Sequence, residues 1–460
     1  MSRLKVAKFG GTSMGSAEAL LNAARILRDD PTARLVVVSA TSGTTNLLLN
    51  LAENEFAGND AKADELAARI RHRHEELAAR VGVQVPAYGP LFEEIEFMRR
   101  IMRDAAATGV RHNPRILDQL LSLGERLSSE LFTCVLRSGG RQAACFDVRR
   151  VLRTDARFGR AEPQIEVIAA LTAELLEPEL DKNEILVTQG FIGSSDSGTT
   201  TTLGRGGSDY SAALLGEALR AEAVQIWTDV PGVFTMDPNV VPDARLISEL
   251  SFSEAAELAN FGAKVLHPST LVAAMRTGVP VYVGSTFQAN VGGTWVRRES
   301  SDSPMVRAIA LRRKQTLITV NSLGMLNAQG YLARMFQVLA DHNLSVDLVT
   351  TSEVSVALTI DIASQGSGVR PILENKELLE ELRSFAEITI EEDYTLVSVI
   401  GNRIASTPGV GLRALRSIGA NNIRLLCHGA SDHNFCFLVE PNAANEIALS
   451  LHQEFLGSMQ

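Results

Sequence analysis

Up to about residue 300, apolar and polar positions alternate between two periods. Short β-branched runs predict strands at Lys5–Phe9, Arg34–Ser39, Gln142–Asp147, Glu184–Phe191, Ala223–Thr228 and Val279–Val283. Between them, apolar residues at helical spacing predict helices that include Ser16–Leu27, Ala61–Arg80, Pro114–Leu136, Tyr210–Arg220 and Ser253–Asn260. Strand and helix in succession predict an α/β unit, a mostly parallel sheet with helices on both faces. Ligands of such sheets sit beyond the carboxyl ends of the strands. Three loaded motifs follow strands directly: Gly10-Gly11, the segment Gly193–Asp209, and Asp229.

A different pattern begins near Val306. Asn343-Leu344-Ser345-Val346 aligns with Asn422-Ile423-Arg424-Leu425 at an offset of 79 residues, and the same offset pairs Val320 with Val399, Phe336 with Leu415, and Val356–Ile360 with Phe435–Val439. Each copy reads strand, Gly-bearing loop, amphipathic helix, strand, strand, the core of a ferredoxin-like βαββαβ module. One difference stands inside the repeat, Asp347 against Leu426. On a predicted strand Ser345–Thr351, alternate residues share a face, so Asp347 has polar neighbours and is either a solvated acid or the partner of a cationic ligand.

Composition narrows the function classes. A chain of 460 residues predicts two or three domains. The 45% apolar and 21% charged fractions are those of an ordinary globular protein. A formal net charge of −10, with Lys and Arg spread along the chain, argues against a nucleic-acid groove or an anionic membrane surface. Cys134, Cys145, Cys427 and Cys436 form no CxxC pair and are expected to be reduced. No run reaches membrane length and no leader-like segment opens the chain, so a cytoplasmic protein is expected.

Lys8 with Gly10 and Gly11 offers one cation and backbone N–H groups that no Cβ shields, a combination suited to phosphoryl oxygens. Glycine pairs also end strands for conformational reasons alone. The Gly-Lys-Ser/Thr order of a P-loop is missing. In Thr199–Asp209, glycines around Arg205 let backbone approach a ligand while the guanidinium grips a carboxylate. Ser208-Asp209 reads equally as a plain N-cap of the next helix or as part of that site. Asp229, after Trp227-Thr228, fits a ribose, a metal or merely the turn, and Lys264 in Gly262–Val265 is a solvated charge unless a ligand claims it. Gly124 costs its helix about 1 kcal/mol relative to alanine, which suits close approach beside Glu125. His72 and His74 read as surface residues and His267 as a helix end, with no spacing for structural zinc and no Ser-His-Asp arrangement.

Taken together, "KFGGTS", "TTTLGRGGSDY", "WTDVPGV", "FGAKVLHP" and "NLSVDLVTTSEVSVAL", in this order and spacing, resemble the aspartokinases, the lysine-sensitive monofunctional type in particular. The resemblance runs essentially end to end. It implies an amino acid kinase-like αβα sandwich over 1–300, then two ACT modules over 306–390 and 391–460, with 440–460 as a segment that could return to complete the first. The implied reaction moves the γ-phosphoryl group of ATP, with Mg²⁺, to the β-carboxylate of L-aspartate, opening the route to lysine, threonine and methionine. A carboxylate is already ionised at neutral pH, so no general base is needed.

Carried over by motif, Lys8 would stabilise the transferring group, Gly10 and Gly11 would donate N–H groups to it, and Asp209 would orient Lys8 and organise the nucleotide. Arg205 would clamp the α-carboxylate and Glu125 the ammonium of aspartate, with Ser39, Thr45, Gly206, Gly207 and Ser208 around them. Phe9, Thr228, Asp229, Phe234, Lys264 and Val265 would complete the ATP site, although Phe234 and Asn239 stand where the family has tyrosine and arginine. Free L-lysine would bind between first ACT modules of a homodimer, with a tetramer as the larger option. Asp347 would take its ammonium, and Met325, Ala328, Tyr331, Leu332, Ser345, Val346, Thr351, Ser352 and Glu353 would surround it. Ala328 and Tyr331 replace an expected serine and phenylalanine. Threonine is the rival effector. The rival functions are another amino acid kinase and a catalytically dead sensor, the latter opposed by intact Lys8, Arg205 and Asp209.

Overall fold

The computed structural model describes residues 4–262, 265–326, 328–342, 344–360 and 375–457. The chain divides into two compact units: 1–233 with 246–252 and 265–300, and 234–245 with 253–264 and 301–460.

The first unit is built on an eight-stranded sheet. Its strands are β1 (Lys5–Phe9), β2 (Ala33–Val38), β3 (Ala143–Phe146), β4 (Ile185–Gln189), β7 (Ala223–Thr228), β8 (Glu249–Ser251), β9 (Val281–Ser285) and β10 (Gly293–Arg297), in the order β3-β4-β2-β1-β7-β9-β10-β8. All neighbours pair in parallel except β9 with β10. Central strands of such a sheet are covered on both faces, and Val6–Phe9 and Leu35–Val38 are buried throughout. A separate hairpin, β5 (Ile192–Ser194) with β6 (Thr200–Thr202), stands outside the main sheet. Ser16 caps the helix Ala17–Asp29, and Asn113 with Pro114 opens the helix Pro114–Ser138, so local chemistry sets both starts. The helix expected at Tyr210 begins three residues earlier, at Gly207, which puts Ser208 and Asp209 in its first turn rather than ahead of it.

Three further helices, Thr44–Ala57, Asp60–Arg80 and Tyr88–Ala107, pack on the Pro114–Ser138 side. His74 is fully buried among them, not on the surface as its charged neighbours suggested. Its Nδ1 lies 2.7 Å from the Ile70 carbonyl and its Nε2 3.4 Å from Thr41 Oγ1, and burial pushes its pKa down to about 4, so the ring is neutral. Glu55, also fully buried, accepts from Arg99 Nε at 2.5 Å and Arg103 Nε at 2.7 Å, tying two of these helices together.

The second unit carries a six-stranded sheet of β11 (Val306–Asn321), β12 (Leu348–Thr351), β13 (Ser355–Ile360), β14 (Glu387–Gly401), β15 (Leu425–His428) and β16 (Asn434–Val439), ordered β12-β13-β11-β14-β16-β15. The two long strands serve both repeats. Thr316–Asn321 of β11 pairs with β13 and with the start of β14, whereas Val306–Arg312 pairs with the end of β14, which in turn pairs with β16. Separate cores lie under the two halves. The carboxyl-terminal helix Ala444–Leu456 joins the core of the second repeat through Ile447, Leu451 and Phe455, beside Ile309, Val397 and Phe437, and so does not complete the first repeat. That place is filled by Leu378, Leu379 and Leu382 of the helix Lys376–Arg383. The strand expected from Ser345 starts only at Leu348, leaving Ser345 and Asp347 in the segment before it.

Without Glu55, Arg99 still pairs with Asp64 and Glu96, and Arg103 with Asp60, so the loss is that of the charged hydrogen bonds to one buried acid. Glu55→Ala is therefore expected to lower unfolding free energy by about 2 kcal/mol, measured by urea titration, with the sheet's far-UV signature retained.

Candidate active site

The carboxyl ends of β1, β2 and β7 open onto a cleft of about 570 Å³. Lining it are Lys8, Gly10, Gly11, Ser39, Thr45, Glu125, Arg205, Gly206, Gly207, Ser208, Asp209, Thr228 and Asp229, which the chain order scatters over more than two hundred positions. Lys8 is 7% exposed and its Nζ lies 2.5 Å from Asp209 Oδ1. The pair joins the first strand to the first turn of the helix Gly207–Ala218, whose amino end adds positive potential.

Close approach is engineered by glycines on both sides. Gly204 and Gly206 take φ of +76° and +69°, conformations that favour glycine, and they flank Arg205. A Cβ on Gly206 would lie 2.4 Å from the His267 ring. His267 itself opens the helix Pro268–Thr277 through Ser269 N–H rather than ending one. A Cβ on Gly190 would lie 2.6 Å from Ser208 Cβ, so that glycine sets the depth at which the Ser208-Asp209 turn sits.

Glu125 is 3% exposed on the helix Pro114–Ser138. Its Oε1 accepts the Ala40 N–H at 3.2 Å, while its Oε2 is buried with no hydrogen-bond partner. Burial pushes its pKa up to about 8. A lone buried carboxylate oxygen calls for a cation, and an ammonium group answers that need. Gly124 gives room for this: a Cβ there would meet Ala40 Cβ at 3.0 Å.

Several expected positions lie elsewhere. The Phe9 ring is core, 5.8 Å from Phe132 and stacked at 6.4 Å on Trp227, so it faces no ligand. Gly10 does line the cleft, but its N–H donates to the Trp227 carbonyl at 3.0 Å, because the β1–β7 ladder continues one residue past the strand. Phe234 belongs to the segment 234–245 of the second unit, Val265 does not line the cleft, and Lys264 lies outside the described residues. Thr41, Ser42, Asn46 and Phe191 line the cleft without having been singled out. The hydroxyl run Ser39–Thr45 was their signal, and Phe191, at φ +68°, had none in the sequence.

Residues 3–285 match the amino acid kinase family, and 318–372 and 397–455 match an ACT domain. Lysine-sensitive aspartokinase 3 of Escherichia coli is 47% identical over 98% of this chain and 99% of its own. Chloroplastic aspartokinase 3 of Arabidopsis thaliana is 33% identical over 98% of this chain and 81% of its own. This chain belongs to the aspartokinase family. Among solved aspartokinases, E. coli aspartokinase III with aspartate and ADP superposes at a TM-score of 0.87, with 46% identity over 98% of this chain and 99% of that one. The same enzyme with lysine and aspartate gives 0.81, at 46% identity over 99% of this chain and 100% of that one.

On the regulatory side of this aspartokinase, the positions expected to surround an effector gather around one repeat. Met325, Ala328, Tyr331 and Leu332 run from a short turn into the helix Tyr331–Asp341, and Ser345, Val346, Asp347, Thr351, Ser352 and Glu353 lie before, on and after the edge strand β12. Asp347 pairs with Arg312 at 3.2 Å with its side chain 22% exposed, so a ligand cation would compete with or join that guanidinium. The Tyr331 hydroxyl is buried without a hydrogen-bond partner, which is the consequence of placing tyrosine where phenylalanine was expected.

Lys8→Ala is expected to lower turnover by about 10²-fold or more in a kinase assay and, because it leaves Asp209 without its buried partner, to lower Tm as well by calorimetry. Glu125 gives a pH signature. Burial raises its pKa, so the stability it contributes is complete below its unfolded value, falls as pH rises, and is lost beyond about 8. Thermal melts should show wild type losing more stability than Glu125→Gln between about pH 5 and pH 9. An ammonium ligand needs the carboxylate, so the KM for an amino acid should fall as pH rises toward 8 in wild type and be high and flat in Glu125→Gln.

Proposed function

We propose that this aspartokinase transfers the γ-phosphoryl group of ATP to the β-carboxylate of L-aspartate, yielding 4-phospho-L-aspartate and ADP. The observation that carries the reading is the partnerless Oε2 of Glu125 in the same cleft as the Lys8–Asp209 pair. Glu125 binds the ammonium of aspartate and Arg205 its α-carboxylate, which leaves the β-carboxylate to face Lys8. One carboxylate oxygen forms the new P–O bond as the bond from the γ-phosphorus to ADP breaks, and no proton moves. Catalysis then rests on alignment and charge neutralisation. Lys8 stabilises charge on the transferring group, Asp209 holds Lys8 in place, and Thr228 and Asp229 border the nucleotide.

Among the described residues no group of three or more His, Cys, Asp and Glu side chains is placed to hold a metal. Asp209 and Asp229 in the cleft fit a cation carried largely by phosphate oxygens. Such a Mg²⁺ neutralises charge on the β- and γ-phosphates when bound.

Lysine inhibition through Asp347 in a homodimer of first ACT modules belongs to the same proposal, supported by the acid's position beside β12 and by its replacement with Leu426 in the second repeat. So does a cytoplasmic setting, which the four free cysteines suit. No helix among the described residues is long and apolar enough to cross a membrane.

An ATP-dependent hydroxamate assay tests the core claim. Aspartyl hydroxamate should form with L-aspartate and little product with L-glutamate, and its absence with aspartate overturns the assignment. In the same assay millimolar L-lysine, rather than L-threonine, should inhibit wild type. Asp347→Ala should keep turnover and lose that inhibition, and a fully lysine-sensitive variant places the effector elsewhere.

A further inference from the structure

Asp118 lies on the same helix as Glu125, seven positions earlier, so the two acids share a face about 10 Å apart. It is 1% exposed, and no ion pair reaches it among the described residues. Its Oδ2 accepts the N–H of Thr202 at 2.8 Å and of Gly159 at 2.9 Å, and its Oδ1 accepts the Thr202 hydroxyl at 2.8 Å. Burial raises its pKa while these three donors oppose the rise. A buried carboxylate is a costly way to fill space, and the three directed bonds offset that cost.

What it holds is the approach to Arg205. Thr202 ends β6, three residues before the arginine, and the β5–β6 hairpin does not join the eight-stranded sheet. Backbone bonds from Ser194 N–H to the Leu152 carbonyl and from Thr154 N–H to the Ser194 carbonyl tie its first strand, and Asp118 ties the end of its second. The Ala161 N–H donates to the Thr202 carbonyl at 2.9 Å, and a Cβ on Gly204 would lie 3.2 Å from the Gly159 carbonyl, so the Gly159–Ala161 loop and the start of the Arg205 turn are fastened at one point. Asp118 sits at that point.

We propose that Asp118 is a positioning residue that holds the Arg205 turn in register with Glu125, so that one rigid helix sets the spacing between the two groups gripping the head of the amino acid substrate. This rests on the aspartate kinase reading above. Positioning of one substrate's clamp should raise that substrate's KM and spare the other's.

The test is steady-state kinetics of the full chain with aspartate and ATP varied separately, for Asp118→Asn, Thr202→Val and Thr202→Ser. Asp118→Asn should raise the aspartate KM about ten-fold and Thr202→Val about three-fold, with the ATP KM changed less than about two-fold. Thr202→Ser, which restores the hydroxyl donor, should return the aspartate KM to near wild type. Should Asp118→Asn not fold, the milder Thr202 pair carries the test. Parallel rises in both KM values, a fall in kcat with the aspartate KM unchanged, or a serine variant no better than valine overturns the proposal and leaves the kinase reading intact. A wild-type chain that makes no aspartyl hydroxamate overturns the kinase reading first, and the proposal with it.

Discussion

The buried pairing of Lys8 with Asp209 is the constraint around which the catalytic unit is arranged. A lysine at 7% exposure is tolerated only with its charge met, and the acid that meets it comes from about two hundred residues downstream. For the pair to form, the end of β1 and the first turn of the helix Gly207–Ala218 must stand side by side. Gly190 and Gly206 permit this by leaving the space that Ser208 and His267 occupy. The Lys8 ammonium is thereby held where a phosphoryl group can reach it, without depending on the substrate to order it.

A second layer of the site is carried by one long helix. Pro114–Ser138 presents Glu125 to the cleft and Asp118 to the hairpin that precedes Arg205. Both carboxyls are raised by burial, and both are kept by directed contacts or the space for one. They differ in what they lack. Asp118 has its donors within the chain, and Glu125 keeps one oxygen open, which is the difference between a structural anchor and a ligand-binding group.

In the regulatory unit, repetition at an offset of 79 residues does not produce two independent modules. The strands β11 and β14 each run through both halves of one sheet, so both cores pack against the same two strands. Asp347 sits on the border of this arrangement, held by Arg312 from β11.

Period and order in the sequence determined the fold class: β1 and β7 have the bounds their apolar runs predict, and the repeat is visible without coordinates. The family resemblance carried by the short motifs also named most of the residues that line the cleft. What only the tertiary structure decided are facts about neighbours. Phe9 is core because Phe132 and Trp227 close on it, the Gly10 N–H is spent on a carbonyl from another strand, and His74 is buried by helices its own charged surroundings do not announce. The carboxyl-terminal helix packs in the core of the second repeat, and Lys376–Arg383 in that of the first. Periodicity reports which face of an element is apolar, whereas burial and hydrogen-bond partners depend on segments distant in the chain, and those are settled only when the chain has folded.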